Sequence, residues 1–322
     1  MSMEDALNKW LGKTYESSRF HSRVLPPALF TLIGGKGIIA DRIAEVIGDV
    51  PGNLIDPFLG TGSVPLVIWQ NNKIGGRIIA QEASSAIVNA YNVARDNGDT
   101  LMGEIRSIYS KYAPIDRDIA RDKLAPMYNA GIDDPVKSAA MFIVLSRCAF
   151  NSHLQMNKEG KITGGFQSIT PRRIFTGELS QSLHDRWLRA VRIIQESKLM
   201  VQKATHDSWV DMVRGAGPCD VIYLDPPYEG RGQFKYPGEA EVGVWTEEDT
   251  RELIDEALMA SRRGVKIVMS NSPQMEKALS DRGFSTSVFT TYGGPNAPPN
   301  EVIGVLDKEF RATCVVGKKQ EE

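Results

Sequence analysis

The chain has 322 residues, 42% hydrophobic and 24% charged, with a formal net charge of −2. That mixture is ordinary for a soluble globular protein, and the length allows one large domain or two smaller ones around a sizeable core. No apolar run reaches the roughly 18 residues of a membrane span, the polar stretch Met1 to Lys13 is no signal peptide, and the overall charge exerts no general pull on nucleic acid.

Three cysteines, Cys148, Cys219 and Cys314, are far apart and follow no metal-ligand spacing, and the four histidines are scattered. An odd count without a framework suits a reducing cytoplasm better than a secreted scaffold. The charge is unevenly spread. Residues 103–198 hold 15 Lys/Arg against 10 Asp/Glu, leaving 23 basic and 30 acidic residues elsewhere from totals of 38 and 40. A segment at +5 thus sits in a chain otherwise at −7, a distribution that suits contact with an acidic polymer as well as a solvated helical surface.

Residues 1–22 show no period and read as a loosely attached lead. A glycine-rich turn follows at Gly34-Gly35-Lys36-Gly37, then Ile38, Ile39, Ile43, Val46 and Ile47 at helical spacing. Such a turn lets backbone N–H groups approach a ligand and Lys36 hold a carboxylate; a plain loop with a solvated lysine is the more ordinary reading of these residues alone. Asn53 to Ser63 reads as a short strand, an acid at Asp56, and a Gly-x-Gly turn at Gly60 and Gly62. The helix after it takes Ser63 as N-cap and Pro65 in its first turn. Strand, glycine turn and helix make the first half of a doubly wound α/β unit, whose ligand sits at the carboxyl ends of the strands. Neither the dinucleotide spacing nor a Gly-Lys-Ser/Thr anchor is present, which suits an uncharged or zwitterionic ligand better than a polyphosphate. The next strand, Arg77 to Glu82, ends on an acid 26 residues after Asp56. That is where a ribose diol is commonly held, although a helix N-cap or a surface charge are also open to Glu82.

From about residue 100 the α/β alternation stops. Met102 to Tyr112 has a helical period, Asp134-Pro135 is an N-cap and first-turn pair, and an apolar helix runs from Ala139 to Phe150. Asn157-Lys158-Glu159-Gly160 reads as a hairpin tip. Arg172, Arg173, Arg186, Arg189 and Arg192 follow, so 103–198 reads as a mostly helical insertion with a basic hairpin. Alternation resumes with Leu199 to Ala204 and then Val221 to Asp225, a buried strand that runs straight into Pro226-Pro227-Tyr228. Neither proline can continue a ladder, so their carbonyls are free to face a ligand. Beyond a glycine-rich loop from Glu229 to Val244, Thr246 to Asp249 forms a capping box. Strands are expected at Val265 to Ser270 and Phe284 to Thr290, with one or two more in Glu301 to Val316.

Asp225-Pro226-Pro227-Tyr228, preceded by Asp56 to Gly62, resembles the signature of S-adenosylmethionine-dependent amino-methyltransferases. The order of Gly34-Gly35-Lys36, glycine turn, long insertion and tip resembles the D12-type, alpha-class adenine-N6 DNA methyltransferases. So do Arg147 through Phe150-Asn151 to Asn157, Gly160 and Phe166, Met269 to Ser272, and Asn300 to Ile303, so that the similarity runs from about 26 to 306. Leu32 stands where the family usually has an aromatic residue, which either weakens adenine stacking or passes it to another residue such as Phe58. Gln155 stands where relatives often have arginine, so the recognised sequence is left open.

The resemblance implies a Rossmann-like, mostly parallel doubly wound sheet. Its cofactor-binding domain would span 23–102 and 199–317, with a target-recognition insertion at 103–198, the lead at 1–22 and a tail at 318–322. It implies methyl transfer from S-adenosyl-L-methionine to the N6 amine of adenine in a flipped base. Asp225 and the Pro226 carbonyl would accept the two amine hydrogens, with Pro227 shaping the turn and Tyr228 stacking on the base. Lys36 would hold the methionine carboxylate, and the Asp56 to Gly62 turn would line the methionine part. Leu32, Gly34 and Gly35 complete that side, Glu82 takes the ribose hydroxyls, and Asp207 lies near the cofactor adenine. The residues expected on DNA are Arg147, Asn151, Gln155, Asn157, Lys158, Lys161, Arg172 and Arg173. Phe234 and Tyr236 close over the base or simply pack their loop. Double-stranded DNA is the implied partner, with or without a cognate restriction endonuclease, in the cytoplasm and without a metal. An RNA adenine is the alternative substrate, and a non-catalytic DNA-binding relative the alternative class; the intact tip argues against the latter.

Overall fold

The computed structural model describes residues 27–30, 32, 34–149, 154–166, 179–228, 238–289 and 300–314. Seven strands form the main sheet: β1 Leu54–Asp56, β2 Ile78–Glu82, β5 Met200–Lys203, β6 Val221–Leu224, β7 Lys266–Asn271, β8 Ser285–Phe289 and β9 Glu301–Leu306. Their spatial order is β5-β2-β1-β6-β7-β9-β8. The first five are parallel, and β9 runs antiparallel between β7 and β8. The strand order therefore reverses between β1 and β6, the switch point at which open α/β sheets leave a crevice for a ligand. The short pair β3 Gln155–Met156 and β4 Ile162–Gly164 stands apart as a hairpin.

Parallel strands buried on both faces read as continuous apolar runs, and β6, Val-Ile-Tyr-Leu, is buried throughout. The pleat sends alternate residues to opposite sides. Leu54, Val221 and Tyr223 join one core, while Ile55, Ile222 and Leu224 join the other. The first core is covered by helices α1 Ala40–Ile47, α2 Ser63–Asn71, α3 Ser85–Tyr112, α4 Pro135–Cys148 and α5 Gln181–Ser197. The second is covered by α6 Ser208–Gly215, α7 Glu247–Arg262 and α8 Glu276–Asp281. A last helix, α9 Lys308–Cys314, follows β9.

Several expected signals are present in physical form. Asp134 caps α4 by accepting from the N–H groups of Val136 and Lys137. Thr246 and Asp249 form a reciprocal capping box on α7. Asn157 Oδ1 accepts from the backbone of Glu159 and Lys161 and so closes the hairpin tip. Between 103 and 198 the described structure is helical apart from this hairpin, and α3 crosses residue 102 without a break, kinking instead at Asn97.

Other expectations are corrected. Ser63 is the first helical residue of α2, and the cap position belongs to Gly62, whose φ of 62° no capping side chain needs to share. Ile38 lies before α1 and is 75% exposed, because the helix begins only at Ala40. The apolar helix α4 stops at Cys148. Residues 308–314 are helical rather than extended, since β9 already completes the sheet pairing. Cys219 and Cys314 are disulfide-bonded across 95 residues, whereas Cys148 is a buried free thiol. That pairing depends on α9 returning to the start of β6, which spacing along the chain does not reveal. Among the described residues no helix is long and apolar enough to cross a membrane.

Candidate active site

The carboxyl ends of β1, β2 and β6 open into a cavity of about 360 Å³. Each strand delivers an acid there: Asp56 ends β1, Glu82 ends β2, and Asp225 follows β6. The turn after β1 is shaped by Gly60 and Gly62, with φ of 52° and 62°. A Cβ at Gly62 would stand 2.2 Å from the Tyr91 hydroxyl, which itself donates to the Thr61 carbonyl at 2.6 Å. Backbone conformation and close approach together require glycine at this position.

Glu82 is the brace of that turn. Its Oε2 accepts from the Gly60 N–H at 2.9 Å, and its Oε1 from the Ser84 N–H at 2.8 Å. Burial pushes its carboxyl from the ordinary 4.5 to about 7, despite the lowering effect of those bonds. Asp56 is also buried. Desolvation first, then the charges of Asp225 and Glu82, hold its carboxyl well above the usual range. Asp56 Oδ1 accepts from the Phe58 N–H at 3.1 Å, while Oδ2 is buried without a hydrogen-bond partner among the described residues. An unsatisfied buried acceptor beside a cavity suits a ligand donor.

At the tip, Lys36 joins the acids. Its Nζ lies 2.8 Å from Asp225 Oδ1, 3.8 Å from Glu301 Oε1 and 4.8 Å from the centroid of the Tyr228 ring. It also donates to the Gly34 carbonyl at 3.3 Å. The Tyr228 hydroxyl donates to Glu301, and burial raises that phenol well above its ordinary value. Beneath them Tyr223 shares a 3.0 Å hydrogen bond with Ser270.

The cavity therefore brings together Gly34, Gly35, Lys36, Asp56, Phe58, Gly60, Glu82, Asp225, Pro226, Pro227 and Tyr228. Three other expected residues lie off its wall. Leu32 is packed in the first core, Gly62 backs onto Tyr91, and the exposed Asp207 is hydrogen-bonded to His206 at 2.7 Å. Sequence reasoning named Phe58 but missed the two tryptophans beside it, Trp245 and Trp209. Phe58 meets Trp245 edge to face at 5.3 Å, and Trp245 lies 5.9 Å from Trp209. The Trp209 indole N–H is buried without a hydrogen-bond partner among the described residues. The available signal was position: Trp209 lies in the first turn of α6, and Trp245 just precedes the Thr246 cap of α7. The segment 238–245 is fastened over this side by Glu241, which accepts from the Ser85 N–H and hydroxyl and pairs with Lys203 at 3.2 Å.

Among the described residues expected on DNA, none of Arg147, Gln155, Asn157, Lys158 and Lys161 lines the cavity. Gln155, Asn157, Lys158 and Lys161 share the hairpin, and both lysines are exposed. Arg147 sits in the last turn of α4, near Arg186 and Arg189 of α5. Burial, then the charges of Arg147 and Arg189, push Arg186 down to about 10. Asn151, Arg172, Arg173, Phe234 and Tyr236 lie outside the described residues.

The chain is also similar in sequence to known proteins. The chain is 22% identical over 326 residues to a DNA N-6-adenine-methyltransferase of Escherichia phage P1, covering 94% of this chain and 39% of that one. It is 25% identical over 203 residues to the DNA adenine methylase of Haemophilus influenzae, covering 61% of each. The Salmonella typhi DNA adenine methylase is 23% identical over 180 residues, covering 54% of this chain and 55% of that one. The chain thus spans between two fifths and three fifths of the length of these relatives. The family model of the D12 class N6 adenine-specific DNA methyltransferases matches residues 32–291, from the Gly-Gly-Lys turn through all three acid-tipped strands to the end of β8. With that match covering most of its length, the chain belongs to the D12 class of N6 adenine-specific DNA methyltransferases.

Proposed function

We propose that the chain transfers a methyl group from S-adenosyl-L-methionine to the N6 amine of an adenine flipped out of double-stranded DNA. The observation that carries this reading is the Asp225-Pro226-Pro227-Tyr228 tip opening into the same cavity as Asp56 and Glu82. The exocyclic amine of adenine is a poor nucleophile because its lone pair is delocalised into the ring. Asp225 accepts one amine hydrogen and the Pro226 carbonyl the other, which pulls the nitrogen toward tetrahedral geometry. Pro227 holds the turn, and Tyr228 stacks on the base. Positioning supplies much of the rate in this scheme, with no metal and no general-base histidine.

The residues present fit the cofactor. The orphaned Oδ2 of Asp56 suits its ammonium group, and Glu82 suits a ribose diol. The wall of Phe58, Trp209 and Trp245 suits its adenine, in place of the family's aromatic residue at the Leu32 position. Gly34, Gly35, Gly60 and Gly62 shape the backbone around the methionine part, and Lys36, already paired with Asp225, has the methionine carboxylate as a further partner. Asp207 acts through His206, which lines the rim. When bound, S-adenosylmethionine supplies an electrophilic methyl on a sulfonium.

The basic insertion at 103–198 delivers the DNA to a catalytic domain formed by 23–102 and 199–317. Arg147, Asn151, Gln155, Asn157, Lys158, Lys161, Arg172 and Arg173 contact the duplex, and the cytoplasm is the proposed compartment. Methylation sequencing of DNA from a methylation-free host expressing the chain tests the reading. N6-methyladenine at one recurring sequence supports it, and that sequence is also the one a cognate restriction endonuclease would cut. Labelled-methyl transfer to ribosomal RNA but not to duplex DNA would overturn it in favour of an RNA substrate.

A further inference from the structure

We infer that Glu301 is a positioning residue for this reaction: it fixes the Tyr228 ring and shares Lys36 with Asp225, so that the stacking surface and the amine acceptor face one base. The inference rests on the reading of the tip as an adenine-amine site. Glu301 is 73 residues beyond Tyr228, and the direction of β9 brings it there. Because β9 runs opposite to β7, with Asn271 beside Val302, its first residue lies at the carboxyl end of the parallel strands. There Glu301 is only 6% exposed. Its Oε1 accepts the Tyr228 hydroxyl and lies 3.8 Å from Lys36 Nζ.

A structural role alone explains this poorly. Asp225 already pairs the Lys36 ammonium at 2.8 Å, and Glu301 is a second buried carboxylate within reach of the same cation. Buried ion pairs add little net stability to a fold. Chemistry gains two things. A phenol anchored at its hydroxyl holds the plane of its ring, which stacking on a flipped base requires. Lys36 can also move toward Glu301 when the adenine amine reaches Asp225, so that its charge stays paired while the acceptor is released.

The test uses the full chain and a duplex carrying the site found by methylation sequencing, with 2-aminopurine replacing the target adenine for fluorescence. Glu301→Ala and Tyr228→Phe should each lower kcat about 10- to 100-fold, leave the S-adenosylmethionine Kd within about threefold, and alter the 2-aminopurine signal. The double variant should be no worse than the poorer single one, because both remove the same contact. Glu301→Gln, which keeps an acceptor for the hydroxyl, should restore the fluorescence and part of kcat. Multiplicative losses in the double variant would overturn the proposal. So would a wild-type kcat in Tyr228→Phe, which deletes a single oxygen and remains informative if the Glu301 variants fail to fold. A wild-type chain that transfers nothing to DNA would overturn the reading itself, and this proposal with it.

Discussion

The glycine turn after β1 and the hairpin of the insertion both contain glycines with positive φ, yet they are built on opposite principles. Around Gly62 the backbone is pressed against Tyr91 and buttressed by Glu82. Around Gly160 no atom of the described residues lies within 4 Å of a would-be Cβ, and the neighbours that carry charge, Lys158 and Lys161, are exposed. The first region acts through positions that packing dictates, whereas the second acts through long side chains on a tolerant frame. Substitutions in the two regions should therefore fail in different ways and by different amounts.

The largest effect belongs to the tip that joins them. Asp225→Ala should lower kcat for DNA methylation by at least about 10³-fold, the scale of removing a group that stabilises a transition state. Isothermal titration should find the S-adenosylmethionine affinity within about fivefold of wild type. A variant that keeps its rate would remove Asp225 from the chemistry.

The next effect tests the comparison itself. Gly62→Ala forces an L-residue into the left-handed region and drives its Cβ into the Tyr91 hydroxyl. Strain and overpacking together should cost about 3 kcal/mol. Gly160→Ala meets the same φ penalty but no clash, and should cost about 1 kcal/mol. Urea denaturation of the two variants measures both. Equal losses would mean that the turn after β1 is no more constrained than the hairpin.

This contrast also explains what the sequence made legible. Asp56, Gly60, Glu82 and Asp225 were readable because strand ends, glycine turns and a double proline dictate local conformation, and local conformation alone carries them to one crevice. Trp209, Trp245 and Glu301 were not readable as site residues. Each reaches its place through a tertiary path: the tryptophans come to the cavity wall by the first turn of α6 and the cap of α7, and Glu301 comes to Tyr228 and Lys36 by a strand that runs backwards. Asp207 shows the same limit in reverse. The family resemblance implied it near the cofactor adenine, but at the start of α6 the neighbouring Ser208 bonds Gln81 at 2.8 Å, and Asp207 is left exposed. The Cys219–Cys314 bridge likewise depends on where α9 ends.

A smaller effect concerns pH at the buttressed turn. Glu82 has a folded pKa raised from 4.5 to about 7, so in this range the folded state holds a proton that the unfolded state releases. Its contribution to the stability of the ligand-free protein is present below about pH 4.5 and is lost as pH rises through 7. Ribose hydroxyls donating to the carboxylate favour its ionised form, so cofactor binding should run the other way. The S-adenosylmethionine Kd should tighten about tenfold between pH 6 and 8, as the ionised fraction rises from about a tenth to nine tenths. Glu82→Gln should bind more weakly and lose that slope. A wild-type Kd independent of pH would show that the diol is held elsewhere.

The smallest effect lies on the hairpin, where side chains rather than backbone are in play. Lys158 and Lys161 flank a tip closed by Asn157, so alanine at either position leaves the turn intact. Each lysine that contacts a phosphate releases a counterion on binding, and its loss should make the slope of log K against log salt shallower by about 0.9. Fluorescence anisotropy of Lys158→Ala, Lys161→Ala and the pair, from 50 to 200 mM salt, measures this. The loss should be the same for cognate and scrambled duplexes, because phosphates carry no sequence information. Gln155→Ala should instead leave the salt slope unchanged and weaken only the cognate duplex, since Gln155 is exposed on the same hairpin without carrying a charge. If the lysine variants discriminate between the two duplexes and the glutamine variant does not, the assignments on this hairpin are reversed: the lysines read bases, and Gln155 merely supports the strand.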